Sequence, residues 1–354
     1  MGGKRKLGAM SGLGRKQTSA VVSAARCSAH WIAPSKLLWF FELKTRGATM
    51  KLTAFVLMLA CASAPLPAQM VGGNCATLDP PRDPVHPSRN QQLLIPSKGV
   101  GMNAVLFKAS GAAPHRTVIL MHGLPGNERN LDLAQAIRRC GWNVLTFTYR
   151  GAWGSAGDFS ISNAMEDTAT ALAFARSPAG VRLGIDARHI VLVGHSMGGA
   201  TAAVAAAGTQ GLDGLILLDA WNIAAGTSNR TYTRAELIEG FDDFGNSLHA
   251  ATPASVADEV IAKGSQWDLV KLAPRLTELP ILTVTAKHGG AEENRPTSAA
   301  LKARNPRVMT VEIDSDHSFS DHRMALARVV TDWLRSSRGQ RNPPPAPTTQ
   351  PRLR

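Results

Sequence analysis

The chain has 354 residues, 44% of them hydrophobic, and 39 Lys and Arg against 26 Asp and Glu, a net charge of +13. The excess is terminal: residues 1–68 hold ten basic residues and one acid, the last 17 hold four arginines and no acid, and residues 69–337 are balanced. A neutral central region offers no phosphate-neutralising excess, which argues against nucleic acid as a partner, and its length suits one α/β unit.

Residues 1–49 are basic and nearly acid-free. From Met50 a short basic start (Lys51), an apolar core through Leu59 and an Ala62-Ser63-Ala64 pattern follow in the order of a secretory signal peptide over 50–69. The core is too short to span a bilayer as a mature helix, so no stable membrane span is expected. Translation is expected to start at Met50, with 1–49 an over-extended, disordered N-terminus; a genuine transit segment is the rival reading. Export implies a secreted or periplasmic protein. Removal of the leader takes Cys27 and Cys61 with it and leaves Cys75 and Cys140. These two could pair in an oxidising compartment, but one pair has no diagnostic spacing, and burial as separate thiols is the favoured reading. No C-x-x-C or H-E-x-x-H spacing occurs, so no metal site and no cofactor are expected.

Leu78–Pro96 is rich in proline and polar residues and reads as part of an extended segment, 70–99, leading into a domain over 100–337. Strand and helix patterns then alternate. Thr117–Met121 is a continuous apolar run, as in a strand buried on both faces; Leu131–Arg139 has helical spacing with Gly141 as a stop. Asn143–Tyr149 reads as a strand, Asn163–Arg176 as a helix, and Ile190–Val193, Leu215–Leu218, Ile281–Thr285 and Val308–Ile313 as further strands. An amphipathic helix, Arg323–Arg335, closes the domain. The alternation predicts a mostly parallel sheet with helices on both faces. Between Asp219 and Pro280 there are only helical pieces, such as Arg234–Phe241 and Ala254–Lys263, so a small helical cap over about 221–275 is expected above the carboxyl edge of the sheet. The tail, 338–354, has disordered linker composition.

Gly194-His195-Ser196-Met197-Gly198 lies between the apolar run His189–Val193 and the small-residue stretch Gly199–Ala205. A strand, a tight turn and a helix around G-x-S-x-G make a nucleophile elbow, with Ser196 exposed at the turn. The free N–H groups and dipole of the following helix favour negative charge beside that serine.

His122-Gly123 after the first buried strand, Tyr149-Arg150-Gly151 after the next, the Ser196 elbow and a late histidine together resemble the α/β-hydrolase superfamily, of the serine esterase, lipase and peptidase types, over about residues 100–336. The resemblance implies an α/β-hydrolase fold, with Ser196 as nucleophile and a histidine after the last strand as base. His317 and His322 both qualify, and His317, directly after Val308–Ile313, is favoured. It also implies an oxyanion hole from the backbone N–H groups of Leu124 and Met197. The orienting acid of this superfamily usually follows the penultimate strand, where this chain reads Ala286-Lys287-His288-Gly289-Gly290. Asp219, at the tip of the preceding strand as in a minority of the superfamily, is favoured over Glu292. His122 reads as a loop-former, Arg150 and Asp158 as a structural ion pair, and Trp153, Trp221 and Trp267 as core packing ahead of pocket lining. The implied reaction is hydrolysis of a small-molecule ester through an acyl-enzyme. A serine peptidase or amidase on the same fold and a non-catalytic binding protein are the alternatives.

Overall fold

The computed structural model describes residues 74–225, 232–244 and 246–336. The leader readings over 1–49 and 50–69 and the tail over 338–354 lie outside the described residues.

The apolar runs form the middle of an eight-stranded sheet. Its strands are β1 (Arg89–Ser97), β2 (Val100–Lys108), β3 (His115–Met121), β4 (Asn143–Phe147), β5 (Ile185–His195), β6 (Gly214–Leu218), β7 (Ile281–Ala286) and β8 (Val308–Ile313). They lie in the order β1-β2-β4-β3-β5-β6-β7-β8. β2 is antiparallel to β1 and β4, and the pairings from β4 through β8 are parallel. Because successive strand side chains point to opposite faces, each central strand feeds two cores. In β5, Ile190 and Leu192 join one apolar cluster while Val191 and Val193 join the other. The first cluster includes residues of α2 (Ile161–Arg176) and α4 (Met197–Ala207); the second includes residues of α1 (Leu131–Arg139) and α9 (Arg323–Ser336). A short α3 (Pro178–Arg182) follows α2.

The segment expected to be an extended lead-in over 70–99 supplies β1, a strand the sequence pattern did not reveal, paired with β2 from Arg89↔Lys108 to Ser97↔Val100. An edge strand needs hydrogen bonds on one side only, so Pro96 is tolerated there and the polar start Arg89–Gln92 can face solvent. α8 (Ala291–Lys302), with Pro296 inside it, is a helix that the sequence pattern did not reveal. Cys75 and Cys140 are joined in a disulfide rather than buried as separate thiols. The bond ties the chain before β1 to the C-cap of α1, and Arg139 donates to the Ala76 carbonyl beside it.

Between β6 and β7 the described residues form α5 (Arg234–Gly240), α6 (Pro253–Lys263) and α7 (Leu269–Leu272), with 3-10 turns between them. Thr233 caps α5 and Thr252 caps α6, each in a reciprocal capping box. Glu259 of α6 reaches across to the start of α2, where it accepts from the backbone N–H groups of Ile161 (2.8 Å) and Ser162 (3.0 Å). A carboxylate at a helix N-terminus satisfies otherwise orphaned donors and complements the dipole. The inserted helices are thereby fixed to the layer beneath them.

Candidate active site

The turn between β5 and α4 places Ser196 at the carboxyl edge of the sheet with φ 55° and ψ −122°. Such a backbone is costly for a residue with a side chain and persists only where its surroundings impose it. Here the Ser196 N–H donates to the Leu218 carbonyl (3.0 Å), while its own carbonyl accepts from Trp221 (2.9 Å) and Gly199 (2.9 Å). The flanking glycines are required by contact: a Cβ on Gly194 would lie 2.0 Å from the Gly198 carbonyl oxygen, and one on Gly198 would lie 2.5 Å from that of Met121. Met197 begins α4, so its N–H belongs to the free donors of the helix N-terminus. The His122-Gly123-Leu124 loop packs against the serine, and a Cβ on Gly123 would lie 2.9 Å from the Ser196 Cβ.

Asp219 directly follows β6, also at positive φ (41°), and is 1% exposed. A buried carboxylate needs charge-compensating donors, and four converge on it. Oδ1 accepts from Ala286 N–H (3.1 Å) and Asn294 Nδ2 (3.4 Å); Oδ2 accepts from Gly290 N–H (2.7 Å) and His317 Nδ1 (2.6 Å). Ser196, Asp219 and His317 line one cavity of about 340 Å³ with Trp221 and Gly289.

His195, inside the elbow, holds the histidine from the other side. Its ring lies 4.7 Å from that of His317, and its Nε2 donates to the His317 carbonyl oxygen (2.8 Å). That bond fixes the tautomer and leaves Nδ1 buried without a partner. Burial, reinforced by the neighbouring His317, lowers the His195 pKa to about 4 and keeps the ring neutral. His122 is likewise buried, with its pKa lowered to about 4 chiefly by desolvation. Its Nδ1 donates to the Gly123 carbonyl (2.7 Å), and the Tyr149 hydroxyl donates to its own carbonyl (3.1 Å). The residue shapes the loop.

The sequence model of the Alpha/beta hydrolase family matches residues 118–330. The chain belongs to that family. A search of curated protein sequences finds no relative of significant similarity. Among solved structures, this alpha/beta hydrolase is similar to EstE1, a thermophilic carboxylesterase cloned from a metagenomic library (20% identity, TM-score 0.52, covering 71% of this chain and 90% of that one). It is similar to Est1E from Butyrivibrio proteoclasticus (18%, TM-score 0.53, 70% and 98%). A hyperthermophilic esterase from Pyrobaculum calidifontis is a third (19%, TM-score 0.53, 70% and 83%). At these identities the likeness is one of fold.

The residues that the sequence of this alpha/beta hydrolase left as alternatives lie in different surroundings. Glu292 stands exposed in the first turn of α8, whereas the carboxylate bonded to His317 is that of Asp219. His322 is paired with Asp321 (3.0 Å) at the surface. Arg150 is a structural cation, but its partner is not Asp158: its Nε bonds Asp167 (2.6 Å) and its terminal nitrogen bonds Glu166 (2.9 Å), both on α2. Asp158 pairs instead with His249 (2.9 Å). Of the three tryptophans, Trp267 is core, Trp221 lines the Ser196 cavity, and Trp153 is 39% exposed. Sequence reasoning missed Asn294, Gly290 and the anchoring role of His195. Only the Gly289-Gly290 pair carried a signal: a Cβ on Gly289 would lie 2.6 Å from Asp219 Oδ2, so a glycine stands where the acid's carboxylate must pass.

Proposed function

We propose that the protein is a serine hydrolase that cleaves carboxylic esters through an acyl-enzyme. The observation that carries the proposal is the 2.6 Å Asp219–His317 bond opening on the cavity that Ser196 lines. With Nδ1 donating to Asp219, the His317 ring presents Nε2 as an acceptor. Ser196 Oγ attacks the ester carbonyl as its proton passes to His317 Nε2, and the Leu124 and Met197 N–H groups receive the oxyanion. The tetrahedral intermediate collapses, the departing alkoxide takes the proton from His317, and the acyl-serine remains. Water, deprotonated by the same nitrogen, then releases the acid and restores Ser196. Asp219 stabilises the imidazolium that forms in each half-reaction. An adjoining cavity of about 300 Å³, lined by Trp221, Leu237, Phe241 and Val260, gives an apolar substrate group a place to lie.

The proposal includes export, supported by the signal-like sequence from Met50 and by the Cys75–Cys140 disulfide, a bond that persists in oxidising compartments. The catalytic test is p-nitrophenyl butyrate hydrolysis together with fluorophosphonate labelling of wild type and Ser196→Ala. Turnover and labelling in wild type, both lost in the variant, are expected. A wild type that neither turns over nor labels overturns the proposal.

A further inference from the structure

A second cavity, of about 560 Å³, lies apart from that of Ser196 and shares no described lining residue with it. It lies against β1, β2 and β4 on one side and the loop before α1 on the other. Its volume is in the range of small-molecule sites. Leu94, Leu131 and Trp153, which are 63%, 41% and 39% exposed, all line it. Apolar surface left open is ordinary when scattered, but gathered around one cavity it marks a binding surface.

The polar side of the same wall is selective. Arg129 is the one ionised side chain among its described lining residues, since burial keeps His122 neutral. Among the described residues no carboxylate pairs with Arg129: Glu128 is turned to the Asn130 N–H and to Arg323. The guanidinium lies 5.3 Å from the centroid of Trp153, whose Nε1 in turn donates to the Pro125 carbonyl (2.9 Å). The His122 Nε2 is buried without a hydrogen-bond partner. Gln92, Asn103, Thr146 and Thr148 also line the cavity and can donate hydrogen bonds, but its one charge is Arg129; a single cation among neutral donors and the apolar Leu94, Leu131 and Trp153 suits one negative charge on an apolar body. A cationic ligand would be repelled, and a more highly charged anion would leave charge uncompensated.

We propose that this cavity binds a small apolar monocarboxylate, such as an arylacetate or a medium-chain fatty acid. Adjacent residues of one loop face the two cavities, with His122 on this side and Gly123 against Ser196. An occupant therefore touches the back of that loop without entering the Ser196 cavity. This inference stands on residues separate from the catalytic proposal and survives its failure.

The test is calorimetric titration with phenylacetate, octanoate and the uncharged phenylacetamide against wild type, Ser196→Ala, Arg129→Gln and Leu94→Glu. Leu94 and Arg129 lie on an open cavity wall, and circular dichroism checks that each variant folds. Saturable binding of both acids is expected, unchanged within about twofold in Ser196→Ala. Arg129→Gln should weaken it about tenfold, the loss of one charge-assisted bond, and should leave phenylacetamide unaffected. Leu94→Glu should abolish it by placing a like charge in the cavity. Absence of saturable binding, loss of binding in Ser196→Ala, or full affinity in both cavity variants would overturn the proposal.

Discussion

Asp219→Asn is the most informative single change, because the donors around this carboxylate leave an amide no comfortable orientation. Each oxygen of Asp219 accepts from two donors, Ala286 N–H and Asn294 on Oδ1, and Gly290 N–H and His317 on Oδ2. If the asparagine turns its NH₂ toward Ala286 and Asn294, donors face donors in a buried site, at a cost of about 1–3 kcal/mol. If it turns the NH₂ toward Gly290 and His317, His317 must accept at Nδ1 and carry its proton on Nε2. It then cannot take the Ser196 proton. Either way the negative charge that stabilises the imidazolium is gone. By comparison with the same substitution in known serine triads, and on the proposed mechanism, kcat should fall by about 10³–10⁴, or roughly 4–5.5 kcal/mol of barrier. KM should change little, since Asp219 is buried behind His317. The assay is steady-state hydrolysis of p-nitrophenyl butyrate, with a thermal melt in parallel to separate folding from chemistry. Glu292→Gln, an exposed change, is the control and should stay within about twofold of wild type. An Asp219→Asn enzyme retaining more than a tenth of wild-type kcat, or a Glu292→Gln enzyme losing it, would refute the reasoning.

Gly289→Ala should lower kcat by about a hundredfold, because its Cβ would lie 2.6 Å from Asp219 Oδ2 and 2.8 Å from His317 Cα and would displace both; unchanged turnover would mean the loop yields freely. Stability should fall with acid. The folded pKa values of His122 and His195 are lowered to about 4 from 6.5 by burial, so below pH 6.5 the unfolded chain binds protons that the folded chain refuses. Urea unfolding should therefore show roughly 4 kcal/mol less stability at pH 5 than at pH 7 from the pair, with His195→Gln removing about half of that fall. A flat profile would contradict the neutral assignment. Removing the disulfide with Cys75→Ser and Cys140→Ser should cost about 4 kcal/mol for a bond spanning 65 residues, read as a lower urea midpoint. Glu259→Ala should destabilise by about 1–2 kcal/mol through the uncapped start of α2, and a thermal melt that does not move would show that α6 is not the cap.

The fold was legible where burial on both faces made it so. The strands at Thr117–Met121, Ile190–Val193, Leu215–Leu218 and Ile281–Thr285 are runs of apolar residues because no face of them meets water; the observed bounds differ by one or two residues except in β5, which starts five residues earlier with a partly exposed stretch. β1 was not legible because its stability comes from pairing with β2, not from its own composition. α8 was hidden by Pro296 and a polar first turn. The Ser196 elbow could be read locally, since a turn that tight constrains neighbouring residues by contact. The surroundings of Asp219 could not, because Ala286, Gly290 and Asn294 come from one stretch of chain and His317 from another, both far from Asp219 in sequence. Likewise His195 gives no sign in sequence that its ring will meet the main chain of a residue 122 positions later.

The position of the carboxylate just after β6 has a bearing on how the molecule could be rebuilt. With the acid at Asp219, the proposed nucleophile and its carboxylate both lie within one continuous strand–helix–strand stretch, from β5 to the residue that follows β6, ahead of the inserted helices. The whole segment between Ala220 and Pro280 then lies between two fixed points. A recombinant chain carrying a foreign insertion there would never cut between Ser196 and Asp219. It would have to bring its own substitutes for Glu259, which secures α2, for His249, which pairs with Asp158, for Trp221, which lines the cavity, and for the side chains such as Val256 and Leu269 that complete the core beneath. Exchange of that one segment is the natural unit for altering what the site accepts.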